Sequence, residues 1–243
     1  MTYGAAEMSA KATSFVSPTQ YVESDSPQVR AFVDRALQGL VADASDMEKA
    51  IRLFEFVRDA IRYDPYTFAL TARDYRASVI AGMESAFCVP KAILLAACLQ
   101  AVGIPAALGF ADVRNHLNTP KLAELMDTDL FIYHGYVQLW LDGKAYKVTP
   151  AFNIELCERF GVKPLVFDGE SDALFHEFDD RNRHHMEYVN DRGLFDDAPI
   201  EEFLRAFRDT YPKLEAFNRK RIAATGAKGF DAGFAPAGED PAR

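Results

Sequence analysis

Two residues that lie far apart in the sequence have the side chains needed for nucleophilic attack on a carbonyl carbon. Cys88 stands at the start of a buried helical pattern, where free backbone N–H groups and the helix dipole favour an anion. Because the thiolate is the attacking species, this position predicts a lowered Cys88 pKa, and the same N–H groups can hold the resulting oxyanion. His134, in the strand-like segment FIYHGYVQLW, is the candidate base.

The turn that follows this strand predicts which side chain lies beside the imidazole. Asp142-Gly143 between two strand-like runs is typical of a two-residue β-hairpin turn. Continued antiparallel pairing sets Tyr136 opposite Thr149, which makes Thr149 a diagonal neighbour of His134 on the same face. We therefore predict that Thr149 orients the imidazole and that Tyr136 faces the site.

The composition describes a globular protein without need of a structural disulfide or metal. The chain has 243 residues, of which 49% are hydrophobic and 26% charged. With 27 basic and 36 acidic residues, the formal charge of -9 argues against nucleic acid and anionic membranes as partners. The N-terminal residues do not have the pattern of a secretion signal. Three cysteines without CxxC spacing favour free thiols, so a cytoplasmic protein is expected.

Apolar periodicity predicts helices followed by an antiparallel sheet, which is an α+β fold. Residues 26–224 are predicted to form a single domain, after an arm of uncertain order over 1–25. The Gly-, Ala- and Pro-rich segment 225–243 is predicted to be disordered. Helices are predicted over residues 26–40, 45–61, 88–102, 154–160, 199–210 and 213–224, and strands over 106–113, 131–141 and 145–148.

Three short segments resemble the core of bacterial transglutaminase-like proteins, over about residues 45 to 155. Cys88 ends the segment SAFC and opens a helix that reads AILLAACLQAVGIPA from its second turn, and His134 is followed by Val137 and Trp140. Tyr63, in IRY, fits the tyrosine that this family has upstream of the cysteine. The resemblance implies a transglutaminase/papain-like core, with the nucleophile helix packed on an antiparallel β-sheet. It also implies activities such as peptidase, amidase, deamidase or transamidase. No cofactor is predicted.

The chain departs from this family at the residue that orients the histidine. The family has an aspartate in an Asp-Pro step after the return strand, and here that step is Thr149-Pro150. Threonine can accept a hydrogen bond from the imidazole, but it has no charge to stabilise an imidazolium. Asn153 is the alternative, giving a Cys-His-Asn set like that of papain-type enzymes.

Several other residues are candidates for substrate binding. Tyr63 either packs in the core or donates its hydroxyl to an oxyanion. Arg183, His184 and His185 belong to a polar cluster in a predicted loop that extends to Glu187. This cluster is either a solvated turn or a segment that folds over the thiol and binds an anionic group. Adjacent histidines lack the spacing of metal ligands, so no metal is predicted.

The sequence leaves three functions open, with a metal-dependent hydrolase as a fourth and weakest alternative. The first is acyl transfer or hydrolysis of an amide or ester, through a Cys88 thioester, on a small-molecule or peptide substrate. The second keeps the same Cys-His pair but cleaves or forms a carbon–carbon bond, because the family's aspartate is missing. The third is a transglutaminase-like binding module without catalysis. Cys98 and Cys157 are predicted to be core residues, and no oligomeric state is predicted.

Overall fold

Eight helices and six strands make up the part of the chain that the computed structural model describes, which is residues 15–66, 68–115, 119–174 and 186–225. The helices are α1 (Pro27–Ala36), α2 (Asp46–Ala60), α3 (Ala77–Ile80), α4 (Cys88–Ala101), α5 (Pro120–Met126), α6 (Ile154–Phe160), α7 (Ile200–Thr210) and α8 (Pro212–Thr225), with a 3-10 turn at Ala72–Tyr75. The strands are β1 (Arg62–Tyr63), β2 (Ser85–Ala86), β3 (Ala106–Asn115), β4 (Leu130–Leu141), β5 (Lys144–Val148) and β6 (Met186–Phe195).

The strands form one antiparallel sheet and one short parallel pair. The sheet has the order β5-β4-β3-β6, and β1 pairs with β2 beside it. Helix α4 packs against β4, so the predicted α+β architecture, with the cysteine helix on an antiparallel sheet, is confirmed.

The two N-terminal helices begin at the residues that the sequence predicts. The Ser26 side chain accepts a hydrogen bond from the Val29 N–H, with Pro27 as the first residue of α1. Ser45 and Glu48 form a capping box at the start of α2. These caps supply partners for backbone N–H groups that the helices themselves leave unpaired.

Helix α4 is apolar on every face because it lies between the N-terminal helices and the sheet. Each residue from Cys88 to Gln100 is buried, including Lys91. The Lys91 ammonium donates to the carbonyl oxygens of Arg58 and Ile61, where α2 ends. This contact fixes the end of α2 against the first turn of α4.

The hairpin between β4 and β5 has the predicted turn and register. Asp142 and Gly143 both have positive φ, at 50° and 76°, and Leu141 pairs with Lys144. The ladder ends at Val148, one pair before Tyr136 would meet Thr149. The Thr149 N–H donates instead to the Ala173 carbonyl oxygen at 2.8 Å.

Strand β6 corrects the prediction of a loop around Glu187. It pairs antiparallel with β3, and Glu187 lies opposite Arg114 with an ion pair of 3.2 Å. Only one of the ten residues of this strand is buried, and two irregularities interrupt its register with β3. Its side chains therefore do not alternate between apolar and polar, which removes the signal that identifies a strand in sequence.

The segment before α1 packs against the domain from residue 15 onward. Phe15 stacks on Trp140 with ring centroids 5.2 Å apart, and its carbonyl oxygen accepts from the Ala106 N–H. Tyr21 is buried as well, and its hydroxyl donates to Glu201 at 2.7 Å. Within the described ranges, no helix combines the length and apolar composition needed to cross a membrane.

Candidate active site

Cys88 is the first residue of α4 and is 8% exposed. Strand β2 lies shortly before Cys88 in the chain and pairs in parallel with β1. This pairing holds the backbone that leads into α4 in place. Phe87 occupies the N-cap position without a side-chain cap. The N–H groups of the first turn of α4 therefore remain available at the thiol.

The surroundings of the Cys88 sulfur act on its pKa in opposite directions. Burial raises the pKa of the thiol to about 11. Hydrogen bonds from the backbone N–H groups of Gly135, Val89 and Cys88 itself, and the charge of Lys91, lower it by less. The predicted lowering of the Cys88 pKa is therefore wrong, because desolvation outweighs the helix start. The resting group is a thiol at neutral pH, and it needs a base when it attacks.

His134 reaches the start of α4 because the next residue is a glycine. His134 is 5% exposed and pairs with Ala111 on β3. A Cβ atom at Gly135 would lie 3.1 Å from the Val89 Cα atom and 3.2 Å from the Ala92 Cβ atom. The absence of a side chain at position 135 lets β4 approach the first turn of α4 closely, and Cys88 and His134 line one cavity.

Substitution Gly135→Ala should disturb this contact. The added methyl group meets backbone and Cβ atoms that cannot rotate away, so β4 must move from α4. We expect a loss of about 1–3 kcal/mol in the free energy of unfolding, measured by urea denaturation, and a clear loss of Cys88 reactivity. Gly82→Ala is the matched control, since a Cβ atom there meets only the Val79 carbonyl oxygen at 3.6 Å. Equal behaviour of the two variants would contradict the prediction.

The backbone immediately before His134 is strained. Tyr133 has a φ of 55°, in the left-handed region that a bulky residue rarely adopts. Its N–H donates at 3.1 Å to Asp112, which stands at the bulge of β3. The Arg192 Nε atom donates to the same carboxylate at 2.7 Å, and the guanidinium lies 4.0 Å from the Tyr133 ring centroid. These contacts hold Tyr133, and with it the entry to His134, in this conformation.

Asp112 was not identified from the sequence, although a signal was present. It is a lone acidic residue in the apolar segment AALGFADV, where a carboxylate needs a specific partner. The partner, Arg192, lies on β6, in a segment where no strand was predicted from the sequence. The pair is a tertiary contact, so the sequence indicates only that Asp112 is unusual.

Two substitutions of Asp112 distinguish the effect of its charge from the effect of its hydrogen bond to the Tyr133 N–H. Asp112→Asn keeps an acceptor for the Tyr133 N–H, whereas Asp112→Ala removes it, so we expect Cys88-dependent activity to fall further in the alanine variant. Asp112→Ala should also cost about 2 kcal/mol of stability, since it leaves buried polar groups unpaired. Asp129→Asn, in the exposed pair with Arg114, is the control and should cost about 0–1 kcal/mol. Wild-type activity in both Asp112 variants would assign this residue to stability alone.

Tyr63 lines the Cys88 cavity. Burial raises the pKa of its phenol well above the ordinary value, and the charge of the Cys88 thiolate adds to this. The phenol is therefore protonated at neutral pH, and it can donate a hydrogen bond near the thiol. The ring packs edge-on against Phe152, with centroids 4.7 Å apart.

Thr149 is 2% exposed, and its hydroxyl makes no hydrogen bond to any residue that the structure describes. The predicted hydrogen bond from the His134 imidazole to this hydroxyl is therefore not formed. Asn153 contacts a different group: its Oδ1 atom accepts from the Tyr63 N–H at 3.1 Å. It lines a second cavity, on the other side of Tyr63, which does not include Cys88 or His134.

Tyr136 lies away from the thiol. Its ring covers Gly109 on β3 so closely that a Cβ atom there would overlap it. It packs with Ala111 and Val113, and it does not line the Cys88 cavity. The ladder between His134 and Tyr136 is regular, with Ala111 and Gly109 as their partners on β3, yet only His134 lines the Cys88 cavity. The prediction that Tyr136 faces the site is therefore wrong, because its ring packs over Gly109 on β3.

Cys98 and Cys157 do not line this cavity. Arg183, His184 and His185 lie outside the described residues. Cys98 and Cys157 are both fully buried, and burial raises the pKa of Cys157 to about 11. No group of three or more His, Cys, Asp or Glu side chains in the described ranges is arranged to hold a metal ion.

The C-terminal helices supply part of the cavity that sequence analysis missed. Phe207, Tyr211 and Leu214 line it from α7 and α8. The Tyr211 hydroxyl donates to the Leu130 carbonyl oxygen and accepts from the Ile132 N–H, each at 2.7 Å. Tyr211 therefore fixes the start of β4, the strand that carries His134.

The fold thus places a cysteine in the first turn of a buried helix, packed on an antiparallel strand that carries a histidine. Residues 32–149 match the family model described as the transglutaminase-like superfamily. This match confirms the resemblance that the sequence indicated. None of the curated proteins matches the chain.

Two solved structures are similar to the chain at low identity. A protein from Cytophaga hutchinsonii, described as a "putative cysteine protease", is 14% identical with a TM-score of 0.44, and the match covers 80% of this chain and 57% of that one. A "putative protease" from Parabacteroides distasonis ATCC 8503 is 18% identical with a TM-score of 0.34, covering 60% of this chain and 30% of that one. The chain thus spans less than two thirds of either protein.

Proposed function

We propose that the chain is a thiol enzyme whose Cys88 attacks the carbonyl carbon of an amide, ester or related substrate. The substrate is a small molecule or a peptide, and the reaction passes through a thioester to hydrolysis or acyl transfer. One observation carries the proposal: Cys88 is the first residue of α4 and lines the same cavity as His134. Backbone N–H groups of Gly135 and Val89 lower the pKa of the thiol and so favour negative charge on its sulfur. Such donors are typical of sites where negative charge develops.

His134 is assigned the proton transfers. As the Cys88 sulfur bonds to the carbonyl carbon, the imidazole takes the thiol proton, which a pKa of about 11 retains on the resting group. The carbonyl π electrons move to oxygen, and the N–H groups around the thiol and the Tyr63 hydroxyl are the candidate donors to it. The imidazolium then protonates the leaving amine or alcohol as its bond to carbon breaks, which leaves the thioester.

The second half of the reaction reverses these roles. Water, or an amine acceptor, attacks the thioester carbon while His134 takes its proton. The thiolate of Cys88 leaves and recovers the proton from the imidazolium. Position 149 supplies no carboxylate to stabilise that imidazolium, so we expect esters to react faster than unactivated peptide amides.

The raised pKa of Cys88 also favours a second candidate, a transglutaminase-like module that binds a ligand without catalysis. The two candidates differ in the reactivity of the thiol. Peptide mass spectrometry after iodoacetamide treatment compares Cys88 with the fully buried Cys98 and Cys157 in the same sample.

We expect labelling of Cys88 alone, with a rate that rises about tenfold per pH unit from pH 7 to 10. The rise follows because the thiolate fraction increases with pH until the pKa of about 11 is reached. If Cys88 labels no faster than Cys98, while methyl methanethiosulfonate shows that it is accessible, the enzyme proposal fails and the binding module stands.

A further inference from the structure

A buried lysine lies one helical turn after the candidate nucleophile. Lys91 follows Cys88 by three positions in α4, and its side chain is fully buried. Its ammonium donates to the carbonyl oxygens of Arg58, at 2.8 Å, and of Ile61. The carboxylate next in the chain, Asp59, pairs with Arg58 at 2.7 Å and not with Lys91. The contacts of this lysine are therefore hydrogen bonds to the backbone where α2 ends.

The Ile61 carbonyl links this lysine to Tyr63. Ile61 immediately precedes β1, the two-residue strand formed by Arg62 and Tyr63. Strand β1 pairs with β2, which lies shortly before Cys88 in the chain. The hydrogen bond from Lys91 therefore ties the start of β1 to the same turn of α4 that carries the thiol.

The position of Tyr63 decides whether its hydroxyl can donate to the oxygen of a substrate at the thiol. Tyr63 lines one cavity with Cys88 and His134. Its N–H donates at 3.1 Å to Asn153, the N-cap residue of α6, so its backbone is held on that side as well. A shift of about 1 Å in a group that contacts the reacting atoms can lower a rate on the order of 100-fold.

We propose that Lys91 is a positioning residue for the reaction at Cys88: it holds the start of β1 on α4 and so keeps the Tyr63 hydroxyl beside the substrate carbonyl. This inference rests on the proposed function, in which Tyr63 is a candidate donor to the oxyanion. Burial of an amine costs free energy, because the amine loses its hydration. What it gains here is two hydrogen bonds, one of them at the entry to the strand that carries Tyr63.

The hydrogen bonds of Lys91, and not its charge, carry this role. Burial lowers the pKa of Lys91 to about 7, so the amine is largely neutral at pH 9. The other groups whose charges act on it are Asp59, Arg58, Cys157 and Cys88. A neutral amine keeps two N–H groups, one for each carbonyl oxygen. The loss of activity on replacing Lys91, relative to wild type at the same pH, should therefore be equal at pH 6 and pH 9.

A double-mutant cycle between Lys91 and Tyr63 tests the proposal. The assay is hydrolysis of p-nitrophenyl acetate, with the rate of Cys88→Ala subtracted. We expect Lys91→Met to lower kcat by about 10- to 100-fold. In a Tyr63→Phe background it should lower kcat by no more than about threefold, because the hydroxyl that Lys91 positions is then absent. Tyr146→Phe is the control background, since Tyr146 is buried away from the cavity, and there the full loss should remain.

Two further measurements separate positioning from a general loss of structure. Alkylation of Cys88 by iodoacetamide at pH 9 forms no oxyanion, so Lys91→Met should leave its rate within about threefold of wild type. Lys49→Met, the same substitution at a partly exposed position of α2, should leave both rates unchanged. Circular dichroism shows whether Lys91→Met is folded. If it is not, Lys91→Gln, which keeps an N–H donor on a shorter side chain, replaces it in the same cycle with Tyr63→Phe.

The contrary outcomes are distinguishable. An unchanged kcat in the Lys91 variant, or an equal loss with and without the Tyr63 hydroxyl, would overturn the inference and leave the proposed function intact. A loss that disappears between pH 6 and pH 9 would assign the effect to the charge of Lys91 and would also overturn it. If wild type hydrolyses the ester no faster than Cys88→Ala, the proposed function fails, and the inference with it.

Discussion

Replacement of Cys88 by alanine is expected to lower kcat/KM for a p-nitrophenyl ester by about 10⁴-fold or more, to the background rate. The sulfur is the atom that forms the thioester, and the fold offers no second thiol in its cavity: Cys98 and Cys157 are fully buried and do not line it. His134→Ala should lower the same constant by about 10²–10⁴-fold, the usual contribution of general acid–base catalysis. Steady-state hydrolysis with matched enzyme concentrations measures both effects.

The control for this prediction is Cys98→Ala. It removes a buried thiol of the same helix, at a position that faces the core. Its activity should stay within twofold of wild type, even if its stability falls slightly. Retention of more than a tenth of the wild-type rate by Cys88→Ala would show that the hydrolysis does not pass through this thiol.

Among the substitutions considered, replacement of Lys91 by methionine is expected to cause the largest loss in the free energy of unfolding. The Lys91 side chain is fully buried and donates to the carbonyl oxygens of Arg58, at 2.8 Å, and of Ile61. Methionine fills a similar volume but leaves both acceptors without a partner, at a cost of about 1–3 kcal/mol for each buried group. We expect a loss of about 3 kcal/mol near pH 8. Lys49→Met, at a partly exposed ion pair on α2, should change stability by no more than about 0.5 kcal/mol.

The difference in the free energy of unfolding between wild type and Lys91→Met should also depend on pH. Burial lowers the pKa of the Lys91 ammonium from 10.5 to about 7, since the charged form is disfavoured away from water. Between these values the unfolded chain binds more protons than the native one, so wild-type stability gains from rising pH. The contribution of the buried Lys91 side chain to wild-type stability is fully present above pH 10.5, and it is lost as the pH falls towards 7. Urea denaturation from pH 7 to 10 measures it, and a constant difference would contradict the assignment.

The parts of the fold that the sequence predicted are those with local signals. The Ser26 cap, the Ser45–Glu48 capping box and the Asp142-Gly143 turn each depend on contacts between residues close in the chain. Their geometry is decided within a few residues, whatever the rest of the chain does. The same holds for helix α4, which is apolar apart from Lys91 and Gln100.

Features that depend on distant contacts were not predictable in this way. Strand β6 has only one buried residue and an irregular register, so its hydrogen bonds to β3 identify it and its composition does not. The positive φ of Tyr133 is stabilised by Asp112 and Arg192, which lie on two other strands. The cavity wall formed by α7 and α8 likewise appears only when those helices pack on β4.

The candidate site shows the same division. Helix and strand patterns were sufficient to nominate Cys88 and His134, which the fold places around one cavity with Tyr63. Those patterns do not show how deeply the Cys88 thiol is buried. The direction of its pKa shift was therefore predicted wrongly. Tyr136 was assigned to the site because it alternates with His134, but its ring packs over Gly109 on β3 and does not line the cavity.

The central claim is that Cys88 carries the acyl group, and trapping of the thioester tests it most directly. Wild-type protein is mixed with p-nitrophenyl phenylacetate, quenched in acid within the first turnover, and examined by intact-protein and peptide mass spectrometry. We predict one phenylacetyl group, on the peptide that contains Cys88, with none on Cys98 or Cys157 and none in Cys88→Ala. Rapid release of p-nitrophenol by wild type and Cys88→Ala alike, without an acylated Cys88 peptide, would contradict the thioester mechanism.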